Sequence, residues 1–291
     1  MTFKTIGIMA NATKDAAFNV ARVADTFLRG RGVKVLLQHH VAAEFQTPER
    51  GLSDDAVTDA DAVLVLGGDG TILATSRECA PKGTPMLPVH LGRFGFLTEV
   101  APDGLEAALS TLLDGDYAIG ERMMLWGEAR SIAAGEQATV HALNDIVVSN
   151  GPLSRVLHLR MMVNDKYVTT YAADGLILST PTGSTAYSLS AGGPLVDPSL
   201  HVLLVTPICA HTLTSRALIL PANDTVTIIV ERDPDDIVRV TVDGQLGFAL
   251  QPGDEIRVRQ SPSPARIISV GGADFYDKLQ TKLRWGDRVV Y

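Results

Sequence analysis

The sequence predicts an α/β protein, with an N-terminal Rossmann-like α/β domain and a C-terminal, largely antiparallel β-sandwich-like domain. Three observations lead there. Strand-like and helix-like patterns alternate from Thr5 to Leu113, as layered α/β folds require. After Arg122 they give way to short apolar segments separated by turn residues. In between, the apolar run Ala62–Leu66 stops at Gly67-Gly68-Asp69-Gly70-Thr71 and a helical pattern starts at once, which marks a buried strand, a tight loop and a helix N-terminus.

The elements follow in order. Thr5–Ala10 reads as a short apolar strand. Ala16, Ala17, Val20, Val23, Ala24, Phe27 and Leu28 keep one helical face, which Gly30 and Gly32 end. Val33–Leu37 is a second strand. The strand into Gly67 and its helix come next, then a strand over Met86–Leu91. Leu105, Leu109 and Leu112 share a helical face within Asp103–Leu113. Beyond Arg122 the expected strands are Met123–Arg130, Val140–Ser149, Val156–Val163, Tyr167–Tyr171, Gly175–Ser179, Val226–Val230, Val238–Val242 and Glu255–Gln260. Asn164-Asp165, Asp243-Gly244 and Pro252-Gly253 supply turns. A helical pattern over Tyr276–Leu283 returns at the end. The expected domains are 1–122 and 123–270, with 271–291 packing back on the first.

Of the 291 residues, 46% are hydrophobic and 20% charged, so a large core can form. The formal net charge of −8 argues against non-specific binding to nucleic acid or anionic membrane. Two cysteines, Cys79 and Cys209, show no paired spacing and suit a reducing cytoplasm. The N-terminus lacks a signal-like apolar region. No apolar run approaches the ~18 residues of a membrane helix. The seven histidines form no metal-binding pair. Asp233-Pro234-Asp235-Asp236 reads as a solvated turn, because the spaced partners of a calcium loop are missing. No protein metal ligand is identified.

The chemistry concentrates in two segments. A glycine loop at a helix N-terminus offers backbone N–H groups and a positive dipole end to a phosphate. Gly67–Thr71 is not a Walker loop, since no Gly-Lys-Ser/Thr closes it. It is not a Rossmann fingerprint, since Leu73 occupies the third glycine position. Asp69 is the odd element, because a carboxylate in a phosphate cradle repels the ligand. It fits as a proton acceptor or a metal holder; otherwise it caps its own turn. The second segment is Asp174–Pro194. A strand enters a loop carrying seven hydroxyls, Ser179, Thr180, Thr182, Ser184, Thr185, Ser188 and Ser190, and a short helix is expected near Ser184 or Thr185. That surplus of hydroxyls over what capping needs points to a polar ligand, and Tyr187 offers a stacking surface. No nucleophile-elbow or protein-kinase signature occurs.

Together these segments resemble the NAD kinases, which phosphorylate the 2′-hydroxyl of the adenosine ribose of NAD. The matching motifs are Gly67–Thr71, the Asp174–Tyr187 run with Ser190-Ala191-Gly192-Gly193-Pro194, the element Leu91–Thr98, and the ending Lys278–Gly286. Gly-Gly-Asp-Gly-Thr alone is shared with diacylglycerol and sphingosine kinases. Thr-Pro-Thr-Gly-Ser-Thr-Ala-Tyr is far more specific.

The resemblance implies Asp69 as the proton acceptor. It implies dinucleotide contacts at Asp69, Gly70, Asn144, Asp145, Arg155, Ala172, Asp174, Thr185, Ala186, Tyr187, Ser188, Leu189, Ser190 and Gln245. It implies a phosphate-donor loop at Gly67, Gly68, Gly70 and Thr71, with Thr182, Gly183 and Ser184. Mg2+ and ATP or polyphosphate are the implied cofactor and donor, in a homodimer or homotetramer. Three positions depart from the family pattern. Asp145 stands for the usual Glu, one methylene shorter. His90 stands where Asn is general. Ala172 stands where some bacterial members carry an Arg linked to choosing NAD over NADH. Two other functions stay open: a lipid kinase sharing the glycine loop, and a non-catalytic NAD(P) sensor on the same fold.

Overall fold

Apolar, β-branched runs too short for helices pair side by side to form the first sheet. Its strands are β1 (Thr5–Ala10), β2 (Lys34–Gln38), β3 (Gly51–Leu52), β4 (Ala62–Gly67), β5 (Met86–His90), β6 (Ala118–Arg122) and β19 (Ala265–Ser269), in the order β3-β2-β1-β4-β5-β19-β6. The structure, a computed structural model, describes residues 3–92, 95–131, 137–150, 156–212, 214–231, 238–271 and 274–283. Arg155, Arg93, Phe94, the acidic run 233–236 and positions 284–286 of the C-terminal motif lie outside the described residues.

The pairs β3–β2, β2–β1, β1–β4, β4–β5 and β5–β19 are all parallel. The helices of this region are α1 (Asp15–Gly30), α2 (His39–Glu44), α3 (Asp54–Val57), α4 (Asp69–Cys79), α5 (Leu105–Asp114) and α7 (Phe275–Leu283). In α1 the buried residues Ala17, Ala21, Ala24 and Leu28 recur at helical spacing, and they join β1 and β4 in one core. Gly32, at φ 77°, takes the left-handed step that ends the helix. β4 is buried along its whole length, as a central parallel strand must be.

The later strands are β7 (Leu125–Arg130), β8 (Gln137–Ala142), β9 (Asp145–Asn150), β10 (Leu157–Val163), β11 (Lys166–Ala173), β12 (Gly175–Ser179), β13 (Val202–Ile208), β14 (Leu218–Pro221), β15 (Val226–Val230), β16 (Val238–Val242), β17 (Leu246–Leu250) and β18 (Glu255–Gln260). They form two six-stranded sheets, β11-β10-β15-β18-β7-β8 and β14-β13-β12-β9-β16-β17. Alternation builds the core between them: Leu157, Leu159 and Met161 of β10 and Val238, Val240 and Val242 of β16 are buried in one cluster. Asn164-Asp165 and Asp243-Gly244 make their turns with positive φ at both residues.

The chain divides into two units, 1–121 with 265–291, and 122–264. The boundaries expected from sequence are 122/123 and 270/271. The return begins earlier, at Ala265, because β19 lies in the parallel sheet beside β5. One expected strand is corrected. Val140–Ser149 is not continuous: Leu143 and Asn144 interrupt it, so that β8 pairs with β7 and β9 with β12 and β16.

Candidate active site

In the first unit the glycine loop lies between β4 and α4. β1 and β4 are adjacent, and from them the strand order leads away on opposite sides, to β2 beyond β1 and to β5 beyond β4, all the strands staying parallel. That is a topological switch point, where the carboxyl ends of parallel strands leave a crevice. Asn11 follows β1 there. Its backbone N–H donates to Leu66 O at 2.9 Å and its side-chain amide to Thr71 Oγ1 at 3.4 Å. Thr71 in turn leaves no room at Gly67, where a Cβ would lie 2.2 Å from Thr71 Oγ1. Thr71 N–H and Ile72 N–H close the first turn of α4 on Gly68 O at 2.9 and 3.3 Å.

Asp69, the first residue of α4, does not bond its own turn. Its carboxylate accepts the backbone N–H of Phe96 at 3.2 Å and of Leu97 at 3.3 Å. A Cβ at Gly95 would lie 2.0 Å from Asp69 Oδ1, so the 95–98 turn wraps the carboxylate. Thr98 Oγ1 accepts Gly95 N–H at 2.8 Å and keeps the turn closed. The other side of this turn meets α7. Lys278 Nζ stands 3.9 Å from Glu99 Oε1, both side chains being nearly buried, and Lys282 covers the Phe96 ring at 5.9 Å. A carboxylate has about four acceptor positions. Two N–H donors therefore orient Asp69 and leave it able to accept a hydroxyl proton.

The second unit holds the rest of the expected site. The hydroxyl-rich segment corrects the sequence reading in two ways. Instead of a helix starting near Ser184, a 3-10 turn spans Thr182–Thr185, and α6 (Tyr187–Ser190) is four residues long. Most of the hydroxyls serve the fold. Thr180 Oγ1 donates to Leu143 O at 2.6 Å and accepts Gly183 N–H at 3.0 Å. Ser184 Oγ bonds both N–H and O of Val196, at 3.0 and 3.2 Å. Ser188 Oγ meets Thr206 Oγ1 at 2.9 Å. Ser179 Oγ donates to Thr180 O and Thr185 Oγ1 to Thr182 O. Two remain: Ser190 is exposed, and Thr182 has a buried Oγ1 with no hydrogen-bond partner among the described residues. Such an atom costs about 1–3 kcal/mol unless something else binds it.

The second unit carries further expected contacts. Tyr187 is 46% exposed and Ser190 is exposed. Ala186 N–H bonds Gly183 O, and Leu189 N–H bonds Ala186 O. A Cβ at Gly183 would lie 2.1 Å from Asn144 O, which packs this loop on the Asn144 peptide. Asp174, between β11 and β12, has His211 Nε2 3.8 Å from its carboxylate, and Ala172 O accepts His211 N–H at 2.8 Å. Gln245 N–H closes the β16–β17 turn on Val242 O at 3.0 Å. Asp145 is 4% exposed, and its carboxyl is pushed up to about 7, chiefly by burial and then by the charge of Asp243. His90 Nδ1 lies 3.1 Å from Gly92 O.

Sequence reasoning missed Asn11 and Asp243. Asn11 is the first polar residue beyond β1, and the switch-point rule singles out that position once the strand order is known. Asp243 was visible only as a turn residue. Among the described residues no group of three or more His, Cys, Asp or Glu is placed to hold a metal ion.

Comparison with known proteins agrees with both halves. The ATP-NAD kinase N-terminal domain matches residues 6–117 and the ATP-NAD kinase C-terminal domain residues 143–270. The NAD kinase of Moorella thermoacetica is 46% identical over 282 residues, 97% of this chain and 89% of that protein. The NAD kinase of Citrifermentans bemidjiense is 40% identical over 289 residues, 98% of this chain and all of that protein. A yeast NADH kinase solved with NADH superposes with a TM-score of 0.90 at 27% identity, over 99% of this chain and 89% of its own. An NAD kinase from Archaeoglobus fulgidus solved with ATP shares the fold, with a TM-score of 0.75 at 23% identity, over 96% of this chain and 98% of its own.

The fold and the two segments thus define a phosphotransferase with an alcohol group as acceptor. The chain belongs to the NAD kinase family. That assignment sets aside the lipid-kinase alternative.

Proposed function

We propose that this chain transfers the terminal phosphoryl group of ATP to the 2′-hydroxyl of the adenosine ribose of NAD, with Asp69 as the proton acceptor. The observation that carries this is the Asp69 carboxylate, oriented by the Phe96 and Leu97 N–H groups at the N-terminus of α4. A ribose hydroxyl is a weak nucleophile at neutral pH, and a positioned carboxylate adds ~10²–10⁴-fold by accepting its proton. The hydroxyl oxygen forms the new P–O bond, the bond to the bridging oxygen of the donor breaks, and ADP leaves. Position and charge neutralisation supply the rest. Mg2+ enters with ATP as part of the substrate and neutralises the phosphates. Gly67, Gly68 and Gly70 with Thr71 line the donor loop, and Thr182, Gly183 and Ser184 add contacts. Polyphosphate is the alternative donor.

Asn144, Asp145, Asp174, Gln245, Arg155 and the 185–190 segment hold the dinucleotide in this proposal. Ala172 bears on the choice between NAD and NADH. The working form is a cytoplasmic homodimer or homotetramer; no helix among the described residues is long and apolar enough to cross a membrane.

The deciding experiment is a donor-by-acceptor matrix, MgATP or magnesium polyphosphate against NAD or NADH. NADP formation from MgATP and NAD is expected. Folded protein that makes neither NADP nor NADPH with any pair sinks the proposal, and tight dinucleotide binding without transfer favours the sensor alternative. Asp69→Asn is expected to keep NAD affinity and lose ~10²–10⁴-fold in turnover. Undiminished turnover removes Asp69 as the base.

A further inference from the structure

The break between β8 and β9 leaves a problem of backbone satisfaction. Leu143 and Asn144 sit where the strand is interrupted, and a buried N–H without a partner is costly. Asp243 solves it from 98 to 100 positions away in sequence. Its Oδ2 accepts Leu143 N–H at 3.2 Å, and its Oδ1 accepts Asn144 N–H at 2.8 Å and Asp145 N–H at 3.2 Å. Asp243 N–H returns a bond to Asp145 O at 2.9 Å. The carboxylate is nearly buried, with the side chain's residue 7% exposed. Three N–H bonds to one ionised carboxylate are stronger than neutral ones. From the other side, Thr180 N–H donates to Asn144 O at 2.9 Å and Thr180 Oγ1 to Leu143 O. The Leu143–Asp145 peptides are therefore held between a hydroxyl and a carboxylate.

We infer that Asp243 is a positioning residue for dinucleotide binding: its carboxylate sets the backbone from which Asn144 and Asp145 reach the ligand. This rests on Asn144 and Asp145 being dinucleotide contacts. Asp243 opens the three-residue turn Asp243–Gln245 between β16 and β17, at φ 51° with Gly244 at φ 65°. Asparagine and glycine suit that turn as well as aspartate does. The turn alone therefore does not require a carboxylate, and the three N–H groups supply the reason for one. The same three-residue turn carries Gln245, so the hairpin tip joins that expected dinucleotide contact to Asn144 and Asp145 through one backbone unit.

Two variants separate the roles. Asp243→Gly keeps the turn and removes the acceptor. Asp243→Asn keeps the turn and one acceptor oxygen, the one that takes the Asn144 and Asp145 N–H groups. For Asp243→Gly, KM for NAD is expected to rise by about tenfold or more, with kcat and KM for ATP changed by only a few-fold, as the loss of charge-assisted bonds predicts. Asp243→Asn is expected to recover most of that. Amide hydrogen exchange at residues 143–145, read without substrate, is expected to quicken in the Gly variant and remain slow in the Asn variant. Unchanged exchange, or equal losses in kcat and KM with no rescue by Asn, overturns the inference. If Asp243→Gly does not fold, Asp243→Asn carries the test: rapid exchange at 143–145 with normal kinetics overturns it. Failure of the wild-type protein to make NADP would instead count against the function proposed above, and the exchange measurement stands apart from it.

Discussion

Burial and a neighbouring charge give Asp145 a property that no surface aspartate has. Its carboxyl titrates near 7 when folded, against an ordinary value of 3.8. Between those two values the folded chain holds a proton that the unfolded chain has released. The stability this group contributes is complete below the lower value and is lost as pH rises through about 7. Asn at position 145 is neutral at every pH and removes that loss. The melting temperature of Asp145→Asn, measured relative to wild type, is expected to climb from about pH 4 to about pH 8. A flat difference across that range would show that Asp145 is not shifted. The family's glutamate at this position reaches one methylene further. Asp145→Glu therefore tests whether the space beside Asp243 accepts a longer acid.

At the scale of elements, two glycines of the same site have opposite reasons to be glycine. A Cβ at Gly95 would strike Asp69 Oδ1 at 2.0 Å, whereas a Cβ at Gly68 meets nothing within 4 Å, and Gly68 has φ −109°, open to any residue. Gly95→Ala is expected to displace the Asp69 carboxylate and cut turnover while NAD remains bound. Gly68→Ala is expected to keep the wild-type melting temperature and to raise KM for ATP, because only a ligand approaching the backbone needs that space. A normal KM for ATP in Gly68→Ala would remove Gly68 from the donor loop. Much of this was legible beforehand. The apolar run into Gly67, the helix after Thr71, the Asp-Gly hairpin and the spacing of the α1 face all follow from local pattern. What was not legible depends on remote partners. Asp69 is held by N–H groups 27 and 28 residues on. The hydroxyls of Thr180, Ser184 and Ser188 looked like a surplus because Leu143, Val196 and Thr206 are distant in sequence. Val140–Ser149 looked like one strand because nothing local announces that the Leu143 and Asn144 N–H groups bond the distant Asp243 where the strand breaks.

At the scale of the whole molecule, the two units differ in how the chain builds them. Residues 122–264 are continuous and enclose their own apolar cluster between two sheets. A fragment of those residues is expected to unfold in one cooperative thermal transition, followed by circular dichroism; a broad or absent transition would show that the unit needs the rest of the chain. The first unit is assembled from both ends of the sequence. A chain stopped at Pro264 lacks β19 and α7, leaves β5 with β4 as its one strand neighbour, and strips Lys278 and Lys282 from the turn that holds Asp69. It is expected to lose the first unit's transition while keeping the second's. This has a consequence for synthesis. Nascent domains ordinarily fold in the order they leave the ribosome. Here the first unit's sheet cannot close until β19 is made, so β5 waits as an open parallel edge while all of 122–264 is made. Such an edge invites pairing with other chains. The half that carries Asp69 is thus the late-finishing half, and the making of β19 and α7 decides when its sheet closes.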